Sequence, residues 1–195
     1  MIDLEALRNA IKDNTQLVSI IHTNNETGIT QDLGAAGKIC NDADVVFHTD
    51  ATQSIGKIPF NFTDSNVHLL SLSAHKFHGP KGVGALIVRR KGKRIRLKPQ
   101  MVGGGQEWGR RAGTLNVPGI VGMAKALEIA YRDLEKNEKE IRALRDNFLH
   151  LIKAEVPDIQ ENGDSNHRLY NSISLYIPNI DSSTLLTNLP DLALS

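Results

Sequence analysis

The stretch Leu69-Leu70-Ser71-Leu72-Ser73-Ala74-His75-Lys76-Phe77-His78-Gly79-Pro80-Lys81-Gly82 decides how this chain is read. Its first five residues are a short apolar run, the pattern of a strand buried in a sheet. A polar cluster follows at once. The same arrangement occurs twice upstream. Leu17-Val18-Ser19-Ile20-Ile21-His22 runs into Thr23-Asn24-Asn25-Glu26-Thr27-Gly28, and Val45-Val46-Phe47-His48 runs into Thr49-Asp50-Ala51-Thr52-Gln53-Ser54. Between these two strands, residues 31–42 carry Leu33, Ala36, Ile39 and Cys40 at helical spacing, and residues 3–12 read as a helix with Asp3 as its cap. Apolar strands separated by helices predict an α/β fold with a largely parallel sheet. In such sheets ligands bind beyond the carboxyl ends of the strands, so three polar clusters on that edge make a candidate site. A fourth strand, Val83-Gly84-Ala85-Leu86-Ile87-Val88, is reached through a loop rather than a helix, which leaves an antiparallel pairing open there.

Downstream the pattern changes. Residues 98–116 form a Gly-rich loop, Met101-Val102-Gly103-Gly104-Gly105-Gln106 through Gly113-Thr114, long enough to predict a functional or partner-facing role. A long helical pattern then runs from Pro118 to Ala154, with Leu127, Leu134, Ile141 and Phe148 seven residues apart. After Pro157 a strand-like Ile173-Ser174-Leu175-Tyr176-Ile177 begins a different unit. The expected division is 1–120 and 121–195, with the boundary along the long helix.

Composition excludes several classes of function. The 195 residues carry 23 Lys plus Arg against 22 Asp plus Glu. A net charge of +1 offers no general attraction for nucleic acid or an anionic membrane. No apolar run approaches the roughly 18 residues of a membrane span. Met1-Ile2-Asp3-Leu4-Glu5 is acidic and amphipathic, unlike a secretory or transit leader. The single cysteine, Cys40, suits a reducing compartment and reads as a packing residue in its helix.

The polar clusters offer a carboxylate (Asp50), an amide (Gln53), a hydroxyl (Ser73) and a lysine (Lys76). Pyridoxal 5'-phosphate (PLP) needs this set. Its aldehyde needs an amine for a Schiff base, its pyridine nitrogen a carboxylate, and its phosphate hydroxyl, imidazole and backbone donors. Two other readings weigh less. A metal site from His22, His48, Asp50, His75 and His78 has no tight ligand spacing and leaves the lysine without a purpose. Gly79-Pro80-Lys81-Gly82-Val83-Gly84 lacks both nucleotide-binding patterns and precedes a strand, not a helix.

His48-Thr49-Asp50-Ala51-Thr52-Gln53-Ser54, then Ser73-Ala74-His75-Lys76 with Gly79-Pro80-Lys81-Gly82, then Gly103-Gly104-Gly105-Gln106-Glu107 to Arg111-Ala112-Gly113-Thr114, together resemble the NifS/IscS-type cysteine desulfurases. These belong to the class V aminotransferase group of fold-type I PLP enzymes. The resemblance runs through almost the whole chain. It implies that residues 1–120 are the second half of the large PLP-binding domain, and that 121–195 are the linking helix and start of a small α+β domain. It implies that Lys76 carries PLP, that Asp50 pairs with the ring nitrogen, and that Gln53 bonds the ring-hydroxyl side. Asn25 would lie near the ring and the substrate carboxylate. Ser73 and His75 would hold the phosphate. Thr114 would reach the phosphate in the other subunit of a homodimer formed through the Gly-rich loop. The implied reaction takes L-cysteine to L-alanine and passes sulfur through an enzyme persulfide to iron–sulfur scaffolds and other acceptors, in bacterial cytoplasm or the mitochondrial matrix.

The chain also departs from that pattern. The persulfide cysteine of the family falls after the position of Ser195, and Cys40 does not match it. The ring-stacking histidine lies upstream of Met1 and the arginine for the substrate carboxylate further downstream. The expectation is therefore an internal fragment, inactive alone and poorly folded for want of layers over its sheet. Trp108 stands where the family usually has arginine, either altering the loop or simply packing there. Rival readings are a selenocysteine lyase, an aminotransferase or a kynureninase-like enzyme, and a non-catalytic paralogue that pairs with a complete desulfurase.

Overall fold

The structure, a computed structural model, describes residues 1–194. Its centre is a four-stranded sheet in chain order: β1 (Leu17–Ile21), β2 (Val46–Asp50), β3 (Leu69–Ser73) and β4 (Gly84–Val88). The first three are parallel, and β4 runs antiparallel to β3. The mixed, mostly parallel α/β sheet expected from the apolar runs is present, and the loop before β4 returns the chain antiparallel.

Each helix begins where local chemistry starts it. Asp3 caps α1 (Leu4–Ala10) by accepting from the Glu5 and Ala6 N–H groups, and Asp32 caps α2 (Leu33–Asp42) by accepting from Ala35. Helix α2 buries Leu33, Ala36, Ile39 and Cys40 against β2, and α1 packs on α2. Phe47 and Leu70, from neighbouring strands, are fully buried in this core. Burial pushes the Cys40 thiol up to about 11, so it is inert, as its packing role implies.

The helical pattern of residues 118–154 divides in two: α3 (Val117–Arg132) and α4 (Leu134–Glu155). Asp133 sits between them at φ −100° and ψ 8°. Its N–H still donates to the Ile129 carbonyl, its carbonyl accepts from Asn137, and its carboxylate pairs with Arg132 at 2.7 Å. The apolar period continues through the break, which is why periodicity alone joins the two helices. Asn116 caps α3, and Pro118 occupies the first turn, where no amide hydrogen is needed.

The expected strand at 173–177 is two residues long, β6 (Leu175–Tyr176), paired antiparallel with β5 (Gln160–Glu161). A short helix, α5 (Ser182–Asn188), follows, capped by Asp181. Arg168 ties this unit to the main sheet. Its buried guanidinium donates to the Thr27 and Asn162 carbonyls. Its Nε lies 3.0 Å from Glu161 Oε1, a charge contact at an angle that makes no hydrogen bond. One sheet face is open, with Leu17, Ile21 and Leu86 exposed on it.

Candidate active site

The site forms because β1, β2 and β3 are parallel and in register. Ile21 pairs with Asp50, and Asp50 with Ser71, so their carboxyl ends share one edge. The His22 N–H donates to the Asp50 carbonyl, and the Ala51 N–H to the Ser71 carbonyl, carrying the alignment past the strands. Because β4 is antiparallel, it starts at the same edge: Gly84 pairs with Ser73, and Ala74 donates to the Val83 carbonyl. Only glycine fits there. A Cβ on Gly84 would stand 2.5 Å from the Leu72 carbonyl oxygen.

Asp50 ends β2 half-buried. Its Oδ1 accepts the Thr52 N–H at 2.9 Å, which fixes the carboxylate. Its Oδ2 takes no hydrogen bond from the described residues and is left for a cationic donor. Behind it on the same sheet face, His48 bridges two strands, with Nδ1 2.7 Å from Ser19 Oγ and Nε2 3.2 Å from Ser71 Oγ. Burial lowers the His48 pKa, and the Asp50 carboxylate partly opposes this.

Gln53 lies in the turn that follows, where its carbonyl and Oε1 accept from Lys57. Beyond β3, residues 74–77 make one tight 3₁₀ turn, closed by His78 in the left-handed region at φ 66°. The turn leaves His75 and Lys76 exposed while Ala74 and Phe77 are buried. Ser73 Oγ and His75 Nδ1 are 2.8 Å apart, which puts a hydroxyl and an imidazole together beside Lys76.

His22, after β1, is 6% exposed and bonds Ser54 Oγ at 2.8 Å. Burial lowers its pKa to about 4, so it is neutral and supports the Asp50–Ser54 turn. His22, His48 and His75 each bond a serine rather than meeting one another. Among the described residues, no three His, Cys, Asp or Glu side chains group as a metal site.

Asn25 and Thr114 are less bound to the rest. Asn25 is exposed at the tip of a turn that its neighbour organises: Asn24 Oδ1 accepts from Glu26 N–H, Thr27 N–H and Thr27 Oγ1. Thr114 is exposed. Its loop closes on itself, with Ala112 donating to the Met101 carbonyl and Gly113 to Gln106 Oε1. Trp108 is not packed inside: it is 75% exposed, at φ 56°, with the Arg90 guanidinium 4.8 Å and that of Arg110 5.8 Å from its ring centroid.

One sheet edge thus offers a fixed carboxylate, a paired hydroxyl and imidazole, and an exposed lysine. The class-V aminotransferase model matches residues 1–193, and the chain belongs to that family. It is 45% identical over all 195 residues to the cysteine desulfurase IscS of Rickettsia massiliae, of which it covers 47%. A solved NifS-like protein matches 97% of the chain at 41% identity and a TM-score of 0.89, with 51% of that structure covered. The NifS-like protein of Rickettsia africae matches the same share at 32% identity and 0.89, with 52% covered. The chain thus spans about half the length of the relatives it matches.

Lys57 and the Ser19–His48–Ser71 ladder were not singled out as functional from sequence. His48 opens one of the quoted motifs, but its bonds to Ser19 and Ser71 depend on which strands lie side by side.

Proposed function

We propose that this chain forms the cofactor-binding part of a PLP-dependent cysteine desulfurase. The observation that carries the reading is the Asp50 carboxylate, pinned by Thr52 through one oxygen and free at the other, on the same sheet edge as Ser73, His75 and Lys76. The donor set fits PLP on chemical grounds. A carboxylate, a lysine amine and a hydroxyl–imidazole pair answer its pyridine nitrogen, aldehyde and phosphate respectively. Identity to cysteine desulfurases supports this member of the class over a selenocysteine lyase or another aminotransferase.

Bound PLP would supply an electron sink for charge developing at the substrate α-carbon. The rest is work for this chain. Asp50 would keep a proton on the ring nitrogen, with Thr52 holding the carboxylate still. Lys76 would hold the cofactor through its Nζ and then move a proton at the α-carbon. Gln53 would bond the ring-hydroxyl side, Ser73 and His75 the phosphate, and Asn25 the substrate carboxylate. Thr114 would complete the phosphate site of a second subunit across the Gly-rich loop, in a homodimer. Residues 1–120 would belong to the large domain and 121–195 to the linking helices and the start of the small one. The substrate would be L-cysteine, with sulfur passed to iron–sulfur scaffold proteins or other acceptors, in bacterial cytoplasm or mitochondrial matrix. Among the described residues, no helix is long and apolar enough to cross a membrane.

The test is product analysis on the intact protein loaded with PLP and given L-cysteine and a thiol reductant. Equal amounts of alanine and sulfide are expected. Alanine from selenocysteine but not from cysteine, or amino-group exchange with a keto acid, would overturn the assignment.

A further inference from the structure

Lys57 is close to the site, yet the roles proposed so far do not use it. It follows Gly56, whose φ of +79° and close approach to Ala130 and Phe77, 3.0 Å from a Cβ built there, leave room for no side chain. That turn brings Lys57 back over Gln53. Its ammonium donates to the Gln53 carbonyl at 2.9 Å and lies 3.4 Å from Gln53 Oε1. An ammonium has only donors, so the carboxamide must turn its oxygen toward Lys57 and its N–H groups away. Free glutamine side chains rotate and flip, so this contact removes an ambiguity that would otherwise weaken any bond Gln53 makes.

We propose that Lys57 is a positioning residue: it orients the Gln53 carboxamide so that the amide N–H₂ is offered to the hydroxyl oxygen of a bound PLP ring. The inference rests on the PLP reading above. Lys57 is also electrostatically near the attachment lysine. Burial, and then the Lys76 ammonium, push its pKa down to about 8. It still carries a proton through most of the neutral range, as the donor role requires.

A double-mutant cycle tests this by the affinity of the intact protein for PLP, measured by equilibrium dialysis. Lys57→Met should weaken PLP binding about five- to tenfold, the net weight of one ordinary hydrogen bond. Gln53→Ala should do the same. The double variant should be no weaker than Gln53→Ala alone within about twofold, because both remove one interaction. Lys57→Arg, which keeps a cationic donor, should recover most of the affinity. If Lys57→Met does not fold, Lys57→Gln, which offers both a donor and an acceptor and so no longer fixes the sense of the carboxamide, should show the same coupling. Losses that multiply in the double variant, or a Lys57→Met protein that binds PLP normally, would overturn the proposal. A control separates this from failure of the parent reading. If borohydride fixes PLP on Lys76 of the unsubstituted protein while the cycle shows no coupling, only the Lys57 role is lost.

Discussion

At the scale of single residues, two side chains carry different demands. The Asp50 carboxylate must be held still and His22 kept neutral, and each depends on its neighbours. Thr52 donates to Asp50 at 2.9 Å, whereas His22 is buried against Ser54 and Phe60. Asp50→Asn keeps the Thr52 contact and removes the charge. Alanine formation by the intact protein should fall by about a hundredfold or more, with little change in the unfolding midpoint. Unchanged turnover would contradict the ring-nitrogen role. For His22, the folded pKa of about 4 lies below its ordinary value of 6.5. The unfolded chain therefore binds the proton more readily. This contribution is fully present above pH 6.5 and is lost as pH falls toward 4. Its ceiling is about 3 kcal/mol. Urea denaturation across that window should show the loss, and His22→Gln should flatten it. Equal slopes for both proteins would refute the buried, neutral histidine.

At the scale of elements, the connection between the site edge and the β5–β6 unit matters most. Arg168 donates to the Thr27 carbonyl, in the same turn as Asn25, and to the Asn162 carbonyl, beside its partner Glu161. Leu169 N–H donates to the Gly28 carbonyl, and Thr30 N–H to that of His167. The Asn25 turn is thus held from the far end of the chain. Arg168→Ala leaves two carbonyls and a carboxylate without their cation. It should cost about 3–5 kcal/mol in chemical denaturation. A cost under about 1 kcal/mol would mean that the clamp is incidental. Sequence reading has no access to this contact, because 141 positions separate Arg168 from Thr27. It does reach the strands: apolar runs marked all four, three of them ending in polar clusters, and only the loop before β4 left its direction open. The same apolar period that found α3 and α4 hid the break at Asp133, since a helix can pause for one residue without shifting its buried face.

At the scale of the whole molecule, the sheet edge was legible because chemistry-bearing residues sit at strand ends, and parallel strands bring their ends together. That reading placed Lys76, Asp50, Ser73 and His75 on one edge, where the structure has them. It did not reach Lys57, because the turn that folds it back over Gln53 leaves no pattern in the sequence. Thr114 was named by family resemblance, and its loop closes on itself through Ala112 and Gly113. The open sheet face is a further whole-molecule property. Leu17, Ile21 and Leu86 are about half exposed there. Apolar patches of this kind bind hydrophobic dyes. The 195-residue chain alone should enhance the fluorescence of anilinonaphthalene sulfonate, and Leu17→Glu with Leu86→Glu should reduce it. No enhancement would mean that this face is covered in solution.

Every role proposed at this edge depends on Lys76 holding the cofactor. The most direct test is borohydride reduction of the PLP-loaded intact protein, followed by proteolysis and mass spectrometry of the labelled peptide. The pyridoxyl group should sit on Lys76, and Lys76→Ala should leave no peptide labelled in stoichiometric amount. Label on Lys57, Lys81 or any other lysine would rule out that role for Lys76.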